Sequence, residues 1–434
     1  MTKDAPATGR QKYTGAGGVN IRNARHPFYD FCEEALSDIR AQGRYRTFTP
    51  LARDVERFPV YEEERPLPLP PRDVVVWSTN DYLGMGAEDE VCEAAIAAIR
   101  EFGTGAGGTR NIAGTHPMHA RLEAALAELH GKEAGLLFNS GYMSNLASLQ
   151  TILTSMPGWI CFSDQKNHAS MIAGIKGARG ATTVIYKHND LEDLEAKLAA
   201  APADAPKLIA FESVYSMDGD ISDIPGTCAL ARKYDALTYL DEVHAVGLYG
   251  EQGGGVSQRD NAAADVDIIE GTLAKSFGAH GGYIVANHQI VDYLRSCASG
   301  FIFTTSLPPS IVAAALTSVR LVREQNWRRE ALFERVDTFR NRLRSANIPF
   351  IMTPSHIVPI PIGDAEICSR ISKRLLNEFG IYATPINYPT VERGSERLRI
   401  TPGPRHTDEM MGQLIDALGQ LLREELPHTQ EKAA

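Results

Sequence analysis

Short apolar runs alternate with helix-patterned segments from about residue 74 to residue 310, and this alternation restricts the fold more than any other feature. Strand candidates fall at residues 74–77, 134–138, 160–163, 183–186, 208–212, 237–240, 268–269 and 282–285. Helical spacing covers residues 88–102 and 117–129. The pattern predicts an α/β fold with a mostly parallel central sheet flanked by helices. A long helix over 309–324 leads into a smaller α+β part, with helices over 329–345, 365–379 and 408–422 and strands over 357–361 and 397–400. The expected organisation is an N-terminal segment (1–75), a large domain (76–310) and a C-terminal domain (311–434). Residues 1–25, rich in Gly, Thr, Ala and Lys, are expected to be mobile, and the last ten residues frayed. Phe28, Phe31, Ala35, Leu36 and Ile39 fit an amphipathic helix over 27–41, and residues 63–72 read as a proline-rich connector.

Within this frame Asp241 emerges at the carboxyl end of the strand over 237–240, where α/β sheets place their ligands. A second apolar stretch, 266–269, runs into the small-residue turn Gly271-Thr272-Leu273-Ala274-Lys275-Ser276-Phe277-Gly278. An acid and a lysine delivered in this way suit pyridoxal 5'-phosphate. The lysine holds the cofactor's aldehyde as a Schiff base, and the acid keeps the pyridine nitrogen protonated so that the ring accepts electrons.

Such a cofactor also needs a phosphate cup, a group stacked on the ring and a clamp for the amino-acid carboxylate. Asn139-Ser140-Gly141-Tyr142 follows a strand and opens a helix, whose first amides favour an anion; the same turn also reads as a simple helix cap. Thr272 and Ser276 flank the lysine, and Thr304 and Thr305 are further hydroxyl donors, placed on a second subunit. His244 and Ser216 both suit the ring hydroxyl. His168 is the candidate to stack on the ring. Arg397 and Arg399 share one face of a strand, and a guanidinium grips a carboxylate through two parallel hydrogen bonds.

A formal net charge of -10 argues against a nucleic-acid surface. The cysteines at 32, 92, 161, 228, 297 and 368 are scattered, with no metal-ligand spacing, so reduced thiols and no metal are expected. No apolar run approaches the roughly 20 residues of a membrane span. Lys3, Arg10, Lys12 and Arg22 faintly suggest an organellar presequence, but Asp4 and the lack of an amphipathic repeat favour a bacterial cytoplasmic protein without a membrane partner.

Several ordered segments resemble the α-oxoamine synthases, which join an amino acid to an acyl-CoA and release carbon dioxide. They include residues 43–48, Asn80-Asp81-Tyr82-Leu83-Gly84, Gly108-Thr109-Arg110-Asn111-Ile112, Asn167-His168-Ala169-Ser170, residues 211–220, 241–250 and 301–309, and Asn387-Tyr388-Pro389-Thr390-Val391. Together they span about residues 26–425. The resemblance implies a fold-type-I aminotransferase-like fold, with Lys275 as Schiff-base lysine and acid–base catalyst, Asp241 at the ring nitrogen and His168 on the ring face as a proton donor. It implies cofactor contacts from Ser216, His244 and Thr272, and from Thr304 and Thr305 across a homodimer interface. Arg399 then holds the carboxylate of glycine, and Arg46, helped by Thr390, holds the distal carboxylate of succinyl-CoA. Asn80, Thr109, Asn111 and Ile112 line the substrate pocket, and Ser163 lies towards CoA. Arg46 favours succinyl-CoA over the acyl groups of sister members, because a buried arginine without a carboxylate is costly. Ala173, Ser276 and His280 depart from the family pattern.

Overall fold

A computed structural model describes residues 26–426. The expected mobility of residues 1–25 lies outside the described residues, as does most of the expected C-terminal fraying. The chain divides into two compact units, at residues 48 and 49. In the first, helix α1 (Pro27–Ala41) starts at Pro27, and the His26 side chain accepts a hydrogen bond from the Phe28 amide at 3.2 Å. Proline suits this position because its missing N–H is one the helix would leave unpaired. The Phe28 and Phe31 rings stack 5.9 Å apart on the apolar face.

The second unit opens with strands β1 (Leu51–Arg53), β2 (Val60–Glu63) and β3 (Arg72–Val76), followed by helices α2 (Asp89–Phe102) and α3 (Pro117–Leu129). The main sheet is built from β4 (Ala134–Phe138), α4 (Gly141–Thr154), β5 (Ile160–Asp164), α5 (Ala169–Gly177), β6 (Thr182–Tyr186), α6 (Leu191–Ala200), β7 (Lys207–Glu212), α7 (Ile224–Lys233), β8 (Ala236–Asp241), α8 (Val256–Arg259), β9 (Ile268–Thr272) and β10 (Gly282–Ala286). Its strand order is β4-β10-β9-β8-β7-β5-β6. All pairings from β9 to β6 are parallel, and β10 runs antiparallel to both neighbours. The expected mostly parallel sheet is therefore present. Strands β7, β9 and β10 are buried along their whole length, as strands covered by helices on both faces must be. Even Lys207 conforms: its stem is buried and its ammonium donates to the carbonyls of Ala203 and Ala205.

Helices α9 (His288–Cys297), α10 (Ser299–Ile302), α11 (Pro309–Glu324) and α12 (Trp327–Ser345) lead to β11 (Val358–Pro361), α13 (Ala365–Phe379), β12 (Ile381–Tyr382), β13 (Pro385–Ile386), β14 (Arg397–Ile400) and α14 (Asp408–Glu425). Strand β12 joins β3 in parallel, so the opening sheet is completed from the far end of the sequence. The β1–β2 hairpin and the two-residue strands β12 and β13 were not expected. Their residues are mostly half-exposed or exposed, without the alternation that marks a strand. Strand β3 also starts at Arg72, where an arginine enters the ladder because Glu63 opposite it takes the charge at 2.6 Å.

A separate apolar cluster holds the C-terminal elements together around Trp77, Phe339, Leu398 and Leu418. The fully buried Trp77 stacks on Phe339 with centroids 5.6 Å apart. Phe339→Ala is expected to cost about 3–5 kcal/mol of stability through lost burial and an unfilled cavity. A lowered denaturation midpoint at unchanged slope would register it.

Candidate active site

The cavity at the carboxyl ends of β7, β8 and β9 encloses about 400 Å³ and is lined by Lys275, Asp241, His168, His244, Ser216 and Arg399, among others. Asp241 is the last residue of β8 and is buried. Its Oδ1 accepts from the Val243 amide at 2.9 Å, and its Oδ2 accepts from the Asn145 side chain at 2.7 Å. Asn145 stands one turn into α4 and also donates to the Ser170 hydroxyl at 3.1 Å. That hydroxyl lies 2.7 Å from His168 Nδ1, and the Ser170 amide donates to the same nitrogen. Nδ1 is thus an acceptor, and the ring proton rests on Nε2. Enclosure by the cavity walls outweighs the pull of Asp241 and lowers the His168 pKa.

Lys275 stands in the turn after β9, with its amine 2.6 Å from His244 Nε2. His244 Nδ1 lies 2.8 Å from the Tyr82 hydroxyl, which accepts from Arg399 at 2.8 Å. When Tyr82 donates onward to Nδ1, His244 carries its proton on Nε2 and directs it at an uncharged Lys275 amine. Burial favours this polarity. It pushes the His244 pKa well down, helped by the charges of Lys275 and Arg399. It also lowers Lys275 to about 8, against the pull of Asp241.

Arg399 enters from β14 and is buried. Its Nε donates to the Ser216 carbonyl at 2.8 Å, and one Nη donates to Asn80 at 3.3 Å. On the other side, Gly141 and Tyr142 present the first turn of α4 to the cavity. That turn seats against β10 only because residue 282 is glycine: a Cβ there would lie 2.5 Å from the Gly141 nitrogen. The Lys275 turn is seated by a similar contact, since a Cβ on Gly278, at φ +61°, would lie 2.0 Å from the Gly86 nitrogen.

Of the residues expected from sequence, Lys275, Asp241, His168, His244, Ser216, Thr272, Gly141, Tyr142, Asn80 and Arg399 meet around this one cavity. Ser140 is beside it, but its hydroxyl caps α4 by accepting from the Met143 amide at 3.2 Å. Ser163 is buried behind the wall, where its hydroxyl accepts from Asn167 at 2.9 Å. Thr304 and Thr305 lie away from the cavity, bound to the Asn139 side chain at 3.1 and 2.7 Å. Thr109 forms a bridge with Thr305, Asn111 and Ile112 are exposed, and Thr390 is exposed in the loop after β13. Arg46 is exposed in the first unit. Sequence reasoning missed Asn145, Glu212, Ser78 and Thr384, which also line the cavity. Asn145 was within reach, since it lies one helical turn beyond Gly141.

One further cluster braces the loop that carries Ser216. His188 contacts Asp164 at 2.9 Å through Nδ1 and Asp220 at 2.6 Å through Nε2. Asp218 beside it is paired with Lys166 and Arg397, both at 2.9 Å. Both histidine nitrogens and the neighbouring carboxylate are thus engaged in an ion-pair network.

Comparison with known proteins settles the family. Residues 72–418 match the Aminotransferase class I and II family. The chain is 53% identical over 394 residues to a 5-aminolevulinate synthase of Rhizobium meliloti (strain 1021), covering 91% of this chain and 97% of the relative. It is 51% identical over 396 residues to that of Bradyrhizobium diazoefficiens, covering 91% and 96%. This chain belongs to the 5-aminolevulinate synthase family. Among solved structures, Sphingomonas wittichii serine palmitoyltransferase superposes with a TM-score of 0.83 at 30% identity, covering 92% of this chain and 98% of that one. A serine palmitoyltransferase holding PLP gives 0.84 at 28%, covering 92% and 99%.

The cofactor of a 5-aminolevulinate synthase here is pyridoxal 5'-phosphate, and the cavity fits it. A buried amine of lowered pKa, a buried carboxylate and a helix N-terminus opened by glycine surround one space of suitable size.

Two pH effects are expected. The Lys275 amine is protonated below about 8 and free above it. The rate of covalent PLP capture by the apoenzyme, followed by absorbance, is therefore expected to rise through pH 8 and to level well before an ordinary lysine would. For His188 the two aspartates override burial and raise its pKa to about 9, from an ordinary 6.5. Its charge thus contributes stability that is complete below 6.5 and lost as pH rises through about 9. The melting-temperature difference between wild type and His188→Gln is expected to shrink over that window.

Proposed function

We propose that this site condenses glycine with succinyl-CoA, giving 5-aminolevulinate, CoA and carbon dioxide for tetrapyrrole synthesis. The observation that carries the reading is the hydrogen-bonded row from Lys275 through His244 and Tyr82 to Arg399. It places a base and a carboxylate clamp at opposite ends of one rigid element, as a small amino acid requires.

When bound, the cofactor's ring withdraws electrons from the bonds broken at the amino-acid α-carbon. Arg399 holds the glycine carboxylate, with Asn80 beside it. Lys275, which loses its proton near pH 8, takes a proton from the α-carbon in its uncharged form and later returns one. His168, with its proton on Nε2, supplies it to the thioester oxygen as the new carbon–carbon bond forms and CoA leaves. Arg46 and Thr390 bind the distal carboxylate of the succinyl group, and Thr109, Asn111 and Ile112 shape its pocket. Thr304 and Thr305 reach the cofactor phosphate of the other subunit in a homodimer. Ser163, buried behind the wall, supports the CoA side indirectly. Among the described residues no helix is long and apolar enough to cross a membrane, and a bacterial cytoplasmic setting matches the substrates.

The test is aminolevulinate formation from glycine with succinyl-CoA, acetyl-CoA or octanoyl-CoA. Turnover with succinyl-CoA alone is expected; preference for another acyl-CoA would move the chain to a sister reaction. Arg399→Lys is expected to raise KM for glycine roughly tenfold or more, because a point charge cannot replace the two-pronged grip. Arg46→Leu is expected to raise KM for succinyl-CoA and to erase its advantage over acetyl-CoA.

A further inference from the structure

Three carboxyls stand in one row across the sheet. Glu212 on β7 is level with Asp241 on β8, and Asp241 is level with Glu270 on β9. All three are buried, Glu270 completely. We propose that Glu270 is a permanently protonated acid that donates its proton to the Asp241 carboxylate from behind the cavity, as a positioning residue that sets how strongly Asp241 holds the cofactor's ring nitrogen. The inference rests on the cofactor reading above but concerns a residue outside the cavity wall.

Glu270 Oε1 accepts from the Ser144 hydroxyl of α4, whereas Oε2 is buried with no donor. An ionised carboxylate would leave Oε2 bare in the sheet interior, at high cost. If Oε2 carries the proton, it becomes a donor, and the Asp241 carboxyl is within its reach. Asp241 has room for it: its four lone-pair sites take Val243, Asn145 and Glu270, and leave one for the ring N–H.

The surroundings agree. Glu270 is faced by Asp241 and Tyr239 of β8, Tyr283 of β10, Ser144 of α4 and the Lys275 turn. Lys275 is the one cation among these groups, and Asp241 shares it. Two carboxylates this close in a dry site do not both ionise. Burial raises the Glu270 pKa well above the usual range, and the Asp241 charge adds to it. Glu212, on the other flank, is raised in the same way.

The experiment is infrared spectroscopy of the apoenzyme in deuterium oxide at pH 8, with pH titration of the holoenzyme's visible band beside it. In the apoenzyme, Glu270→Gln is expected to remove one carboxylic-acid carbonyl band that Glu212→Gln leaves in place. In the holoenzyme, Glu270→Gln, which keeps a donor to Asp241, is expected to hold the wild-type midpoint. Glu270→Val, which removes the donor and leaves Asp241 more basic, is expected to raise that midpoint by roughly one pH unit. No acid band lost in Glu270→Gln, or equal midpoint shifts in Gln and Val, would overturn the proposal. So would a Gln variant that does not fold, because Gln reproduces the bonds of a neutral acid. The infrared arm needs neither cofactor nor substrate, so a failure to form aminolevulinate would leave it standing.

Discussion

The fixed point of this protein is the Asp241 carboxyl at the carboxyl end of the central sheet. Asp241 is held in place by the backbone after its own strand and by Asn145 from α4. Through Asn145 the same anchor reaches Ser170 and His168. Around it the protein places Lys275, whose amine feels the Asp241 charge, and Arg399, which donates to the Ser216 carbonyl, Asn80 and the Tyr82 hydroxyl. The site is therefore electrostatically tight: Lys275 and His244 are pushed towards their neutral forms because burial offers no water to share the charge.

Chemistry follows from that tightness. An amine that gives up its proton near pH 8 is rare, and burial supplies it here at the residue that must act as a base. The row from Lys275 to Arg399 joins four chain segments, three of the four residues being far apart in sequence. Its geometry is set by β14 and the turn after β3 as much as by the strands of the main sheet.

Much of this was legible in the sequence. Apolar runs of strand length gave the parallel core, because residues buried on both faces leave a continuous signal. Asp241 and Lys275 were legible because strand ends are where polar residues break such a run. The β1–β2 hairpin and the short strands β12 and β13 were hidden, since their pairing is dictated by partners distant in sequence rather than by their own pattern. Asn145 and Glu212 were missed for a related reason: each looks like an ordinary helix or strand residue until the sheet register sets it beside Asp241. A hydroxyl at a strand end such as Ser163 points to either side of the wall, and only the fold shows that it is buried and accepts from Asn167.

The contact between Gly278 and Gly86 brings two bare stretches of backbone together, one behind the catalytic lysine and one beside the segment that carries Asn80 and Tyr82. A Cβ on Gly86 would in turn lie 2.7 Å from the Gly278 carbonyl oxygen. Neither residue has a substitute that the other can accommodate by a small shift. Lysine turn and substrate wall are consequently locked like two halves of a hinge pin, a joint in which neither side tolerates a side chain.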